Sequence, residues 1–186
     1  MSAGIYTLIM LNLSFMGLLP RIFFRGDGKF NLMWWLTSAP FFLSALLASL
    51  YYFKFLVLMP EVAVFQVVLE GVSAALSVVS ISLMCYTLGT HRRPLALWHQ
   101  NNDAPVEIVT YGAYKYIRHP FYSSFILAAL ATLVLCPSIW SALLVLYGLL
   151  ILNYTAAREE RNLSASAFGE KYRAYMTQSG RFIPKF

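Results

Sequence analysis

Residues 121–157 carry no formally charged side chain, and Pro137-Ser138 interrupts them near the middle. A membrane-crossing helix needs about 20 apolar residues, so this run is too long for one helix and tight for two. Proline ends or kinks a helix rather than continuing it. The pattern predicts a tight helical hairpin, with arms at about residues 118–135 and 139–157.

Three further stretches fit one span each. Residues 1–20 and 30–53 lack side-chain charge, and 62–90 carry only Glu70. The chain is 59% hydrophobic and 12% charged, whereas soluble domains carry about a quarter charged residues. The expected fold class is therefore all-α: a polytopic integral membrane helix bundle of about five spans, with a C-terminal helical hairpin and an amphipathic tail. The first stretch has no Lys or Arg before its apolar core and no clear cleavage site, so it reads as a retained helix rather than a signal peptide.

Of the 14 Lys and Arg, all but Lys54 fall in three clusters. These are Arg21, Arg25 and Lys29; then Arg92, Arg93, Lys115 and Arg118; then the tail from Arg158 to Lys185. With five spans the three clusters share one side, which the positive-inside rule makes cytoplasmic, leaving the N-terminus outside. The net charge of +6 is thereby explained by topology, and no nucleic-acid partner is expected. Localisation is expected to be multi-pass in a membrane, with the short loops favouring a bacterial or archaeal inner membrane (the endoplasmic reticulum if eukaryotic) and the active site facing the cytoplasm. Cys85 and Cys136 have no spacing signature for a disulfide or a metal, so both read as packing residues and no metal is expected.

Residues 1–90 form three N-terminal spans, and 91–186 hold a polar loop, the hairpin and the tail. Trp34, Trp35, Tyr51 and Tyr52 suit interfacial belts, with Lys54 snorkelling beside them. Pro40 is expected to kink the second span. Ser73, Ser77 and Ser80 recur at helical spacing, which favours close helix–helix packing. Glu70 is unusual at this depth, yet it also fits the outer interface at the start of the third span. In the tail, Phe168, Tyr172 and Tyr175 predict a short amphipathic helix folded back on the bundle.

The stretch YKYIRHPFY, residues 114–122, stands at the lip of the hairpin. His119 lies about 18 residues before the Pro137 break and Glu159 about 22 after it, so at 1.5 Å per residue their heights differ by about 6 Å. The Arg-His-Pro and Arg-Glu-Glu segments are predicted neighbours. Pro120 suits a first helical turn, and that turn's amides, with Arg118 and His119, form an anion-binding corner. Glu159 and Glu160 would stand opposite as acceptors for hydroxyls or an ammonium. Donors on one wall and carboxylates on the other suit a zwitterionic, ribose-bearing ligand. Each residue also has a plainer reading: Arg118 as a positive-inside anchor, the glutamates as a solvated helix end, the tyrosines as headgroup lining.

The series GAYKYIRHPFY, REERNL, FGEKYRAY and RFIP resembles the isoprenylcysteine carboxyl methyltransferases (ICMT), and the wider group of membrane methyltransferases that includes phospholipid N-methyltransferases. The resemblance spans about residues 104–186 and implies S-adenosylmethionine (SAM) as cofactor, bound in a cytoplasmic site. Carried over residue by residue, Val106, Glu107, Ile108, Val109, Tyr114, His119, Pro120, Phe121, Tyr122 and Glu159 would contact the cofactor. Glu160 would support the wall, and Arg118 would be structural or orienting. Ser124 stands where the family has Gly, Ala113 where many relatives have Pro, and Thr155 where eukaryotic members place an Arg near the acceptor.

The implied partners are a lipophilic methyl acceptor reaching the site from the bilayer, and membrane lipids. A carboxylate acceptor is already ionised at pH 7 and needs no general base. No catalytic residue is assigned, because alignment and water exclusion can carry such a transfer. Two other readings stay open: a sterol-reductase-like NADPH enzyme, against which REERNL speaks, and a non-catalytic membrane accessory protein.

Overall fold

The computed structural model describes residues 1–15, 23–24, 27–56, 63–90 and 108–186. Among these residues the protein is a bundle of six helices: α1 (Ala3–Ser14), α2 (Leu32–Tyr52), α3 (Ala63–Thr90), α4 (Pro120–Leu135), α5 (Ile139–Ser164) and α6 (Gly169–Gln178). A 3-10 turn at Gly112–Lys115 precedes α4. Five apolar helices stand where the five spans were expected. Three of them, α2, Phe65–Thr90 within α3, and α5, are long and apolar enough to cross a membrane. α1 and α4, at 12 and 16 residues, fall short of that length.

The hairpin forms at the predicted break. Ser138 caps α5 through a reciprocal box, each of Ser138 and Ser141 accepting the other's backbone N–H at 3.1 Å. That satisfies two of the orphan amides every helix start leaves open. Pro120 occupies the first turn of α4, with His119 as its N-cap.

Helices in a bilayer gain little from the hydrophobic effect, so contact chemistry decides their packing. α3 packs most extensively on α4, along the serine face read from the sequence. Ser73 donates to the Ala131 carbonyl at 2.9 Å, and Ser80 to the Ser124 carbonyl at 2.7 Å. Such bonds are worth about 0.6 kcal/mol each in membranes, and the small side chains let the backbones approach. Ser124, fully buried, turns its hydroxyl back to the Pro120 carbonyl at 3.0 Å.

Pro40 lies inside α2 and cannot donate to the Leu36 carbonyl. The Tyr147 hydroxyl of α5 does so instead, at 2.9 Å. Gly148, next in sequence, faces Pro40, where a Cβ would stand in ordinary contact at 3.8 Å.

Glu70 lies well inside α3 rather than at its start, and accepts the Ser2 N–H at 2.8 Å. The Met1 amine stands 3.6 Å away. This supports its structural reading. Trp34 is buried against Phe23, 5.0 Å between ring centroids, whereas Trp35 is exposed. The two cysteines part company: Cys136 is buried at the hairpin turn, but Cys85 sits exposed on α3 and packs no core.

Candidate functional site

Folding of the hairpin brings the Arg-His-Pro segment against the end of α5, and α6 turns the chain back so that residues 179–186 run beside 116–123. Ile117 and Gly180 form an isolated parallel bridge. Arg118 N–H donates to the Gly180 carbonyl at 2.8 Å and His119 N–H to that of Arg181 at 3.1 Å. The Ser123 hydroxyl holds the Phe182 carbonyl at 2.7 Å. This C-terminal strap covers the lip of α4.

His119 is buried between the two glutamates. Its Nδ1 lies 3.3 Å from Glu159 Oε2 and its Nε2 3.3 Å from Glu160 Oε1. The second contact lies within ion-pair reach but outside hydrogen-bond geometry, so Nε2 has no hydrogen-bond partner among the described residues. Adjacent helical positions point about 100° apart, which lets the two carboxylates take opposite edges of one ring. Tyr122, one turn into α4, stacks on His119 at 5.3 Å and donates its hydroxyl to Glu159 Oε1 at 2.9 Å. Phe182 closes edge-on at 6.1 Å.

Glu160 is the hub. Arg118 Nε donates to its Oε1 at 2.9 Å, and Arg181 Nη2 to its Oε2 at 2.5 Å. Arg118 is fixed in turn by the carbonyls of Met176 and Ser179. The two-walled picture from the sequence is thereby corrected: donors and carboxylates do not face each other across a gap but pair directly. The offset of about 6 Å expected between His119 and the glutamates is taken up by that contact.

Burial alone would depress the imidazole's pKa; the close carboxylates of Glu159 and Glu160 reverse this and hold it above its ordinary 6.5. A group raised in the folded state stabilises fully below its unfolded pKa, and that contribution is lost as pH rises through the folded value. The thermal unfolding midpoint in detergent should therefore fall from neutral to alkaline pH. His119→Asn should flatten that slope.

Of the predicted contact residues, the structure gathers His119, Tyr122 and Glu159 into one cluster. Tyr114 is joined to α6, its carbonyl accepting the Tyr175 hydroxyl at 2.5 Å, and its phenol is raised in pKa by burial, then by Tyr175 and Glu159. Pro120 and Phe121 are buried in the bundle. Ile108 and Val109 are half-buried and, being apolar, take no part in the ion pairs. Val106 and Glu107 lie outside the described residues. Sequence reasoning missed Arg181, Asn153 and Phe182. The available signal was RFIP itself, where a lone cation follows seven uncharged residues, 174–180. Among the described residues no group of three His, Cys, Asp or Glu is placed to hold a metal.

No curated protein and no solved structure matches the chain. Residues 96–165 match the model of the Isoprenylcysteine carboxyl methyltransferase (ICMT) family. The match takes in the Arg-His-Pro segment, the hairpin and the glutamate pair, and stops short of α6 and the strap. The resemblance carried by those motifs is thus borne out over that segment, and the chain is similar there to membrane methyltransferases of the isoprenylcysteine type.

Proposed function

We propose that the protein is a SAM-dependent methyltransferase acting on a lipophilic acceptor, with its cofactor held at the His119–Glu159 corner on the cytoplasmic side. The observation that carries this reading is the 3.3 Å approach of His119 to Glu159 across 40 positions of sequence. The residues present fit the cofactor chemically. Carboxylate oxygens suit an ammonium and ribose hydroxyls, and aromatic faces such as Tyr122 attract a cation. The buried Nε2 of His119, lacking a hydrogen-bond partner among the described residues, suits a ligand acceptor.

SAM, when bound, would supply a methyl group on a sulfonium, from which a neutral thioether leaves readily. The chain's own residues then have to orient and dry the site. Burial of His119 and Tyr122 and the strap over them exclude water, and in-line positioning lowers the barrier entropically. An ionised carboxylate acceptor needs no proton removed, so the site needs no general base. The acceptor reaches the site from the bilayer edge, and residues 91–186 form the cofactor-binding half.

The test is saturable binding of S-adenosylhomocysteine to detergent-solubilised protein. His119→Ala and Glu159→Ala should each weaken it at least about tenfold, or roughly 1.4 kcal/mol, while circular dichroism shows an intact helical fold. A well-folded wild-type chain that does not bind the ligand would rule this reading out.

A further inference from the structure

Arg181 lies beyond the segment that matches the family model, and the pairing it makes is the least expected in the site. Its guanidinium reaches three acceptors at once. Nη2 and Nε approach Glu160 Oε2 and Oε1 at 2.5 and 3.2 Å, and Nη1 donates to Asn153 Oδ1 at 2.7 Å. Asn153 and Glu160 are seven positions apart on α5, so they share one face two turns apart. A planar fork that engages a carboxylate on two edges fixes its orientation, which a lysine ammonium cannot do. The same residue's backbone carbonyl accepts the His119 N–H at 3.1 Å. Arg181 thus holds both partners of one contact, the imidazole through its main chain and the carboxylate through its side chain.

We propose that Arg181 is a positioning residue for the His119 site, sharing Glu160 with Arg118 and so setting how much of that carboxylate's charge the imidazole meets. The proposal deepens the methyltransferase reading only in what the site binds; the positioning itself stands on the contacts above. The groups facing His119 are Glu159 and Glu160 from α5, Tyr122 from α4, Arg118 from its own segment and Arg181 from the strap. Tyr114 and Tyr172 are coupled to the same carboxylates from the 3-10 turn and α6. Removing Arg181 takes a cation from Glu160 and leaves more of its charge directed at the ring. The charged imidazole is then favoured.

The experiment is a titration of the full chain in detergent with histidine isotope-labelled at Cε1, without ligand. The three histidines, His91, His99 and His119, give three resonances, and His119→Asn identifies the one of interest. Arg181→Ala should move the His119 midpoint upward by about one pH unit, and Arg181→Lys should bring it back toward wild type. Affinity for S-adenosylhomocysteine should fall about tenfold in Arg181→Ala, with its pH profile displaced in the same direction. An unmoved His119 midpoint, with affinity reduced alike at every pH, would show that the strap is only structural and overturn the proposal. If Arg181→Ala does not fold, Asn153→Ala frees the guanidinium's second anchor. It should displace the midpoint measurably, and no displacement there overturns the proposal equally. A wild-type chain that binds no S-adenosylhomocysteine sinks the methyltransferase reading instead, while the ligand-free titration still decides the role of Arg181.

Discussion

Glu160→Ala should cost on the order of 3 kcal/mol of stability, the largest loss expected of any single side-chain deletion at the site. The carboxylate serves Arg118 and Arg181 by hydrogen bonds and stands beside His119. Deleting it strands two guanidiniums, of which Arg118 is largely buried, and a buried cation without its counter-charge costs far more than an exposed pair contributes. Glu160→Gln keeps the shape and one acceptor oxygen but not the charge, so its loss should be intermediate. Thermal unfolding in detergent at pH 7 checks both. A Glu160→Ala protein that melts within a degree of wild type would show that the hub contributes no stability.

Gly180→Ala should release the strap. A methyl group at that position would lie 1.8 Å from the Ile183 carbonyl oxygen, a backbone atom that no rotamer change can move. Overpacking of this kind costs on the order of 2 kcal/mol, enough to raise the opened population roughly 30-fold. Because the clash lies between Gly180 and Ile183, outside every helix, the bundle should stay folded while the strap detaches. Trypsin should then cut after Arg181 much faster than in wild type, and affinity for S-adenosylhomocysteine should fall with it. Unchanged cleavage would mean that the turn at Gly180 tolerates the methyl group by rearranging.

Much of this was legible in the sequence because charge in a membrane protein is sparse. An uncharged run with one Pro-Ser interruption admits few arrangements, and counting outward from the break places His119 beside Glu159 without any knowledge of tertiary structure. The serine face of α3 was equally readable, since 3.6-residue spacing of small polar groups has one economical use in lipid. The strap was not readable. Its docking rests largely on the main-chain carbonyls of Gly180, Arg181 and Phe182 as acceptors, and main-chain groups carry no sequence signature. The division of Glu160 between two arginines was hidden for a related reason. Spacing predicted that cations and carboxylates would share a level, but not that they would quench each other. Span length was read only slightly long: the first arm of the hairpin, expected at about 118–135, starts as α4 at Pro120.

That short arm has a consequence for how it meets the membrane. Sixteen helical residues rise about 24 Å, against a hydrocarbon thickness of about 30 Å. No residue of α4 is exposed, so its longer neighbours stand between it and the lipid, and the bilayer has no need to thin to its length. The shortfall of about 6 Å is met by protein rather than lipid, and His119, the N-cap of α4, can end its helix inside the bundle without reaching as far as the ends of the surrounding rods.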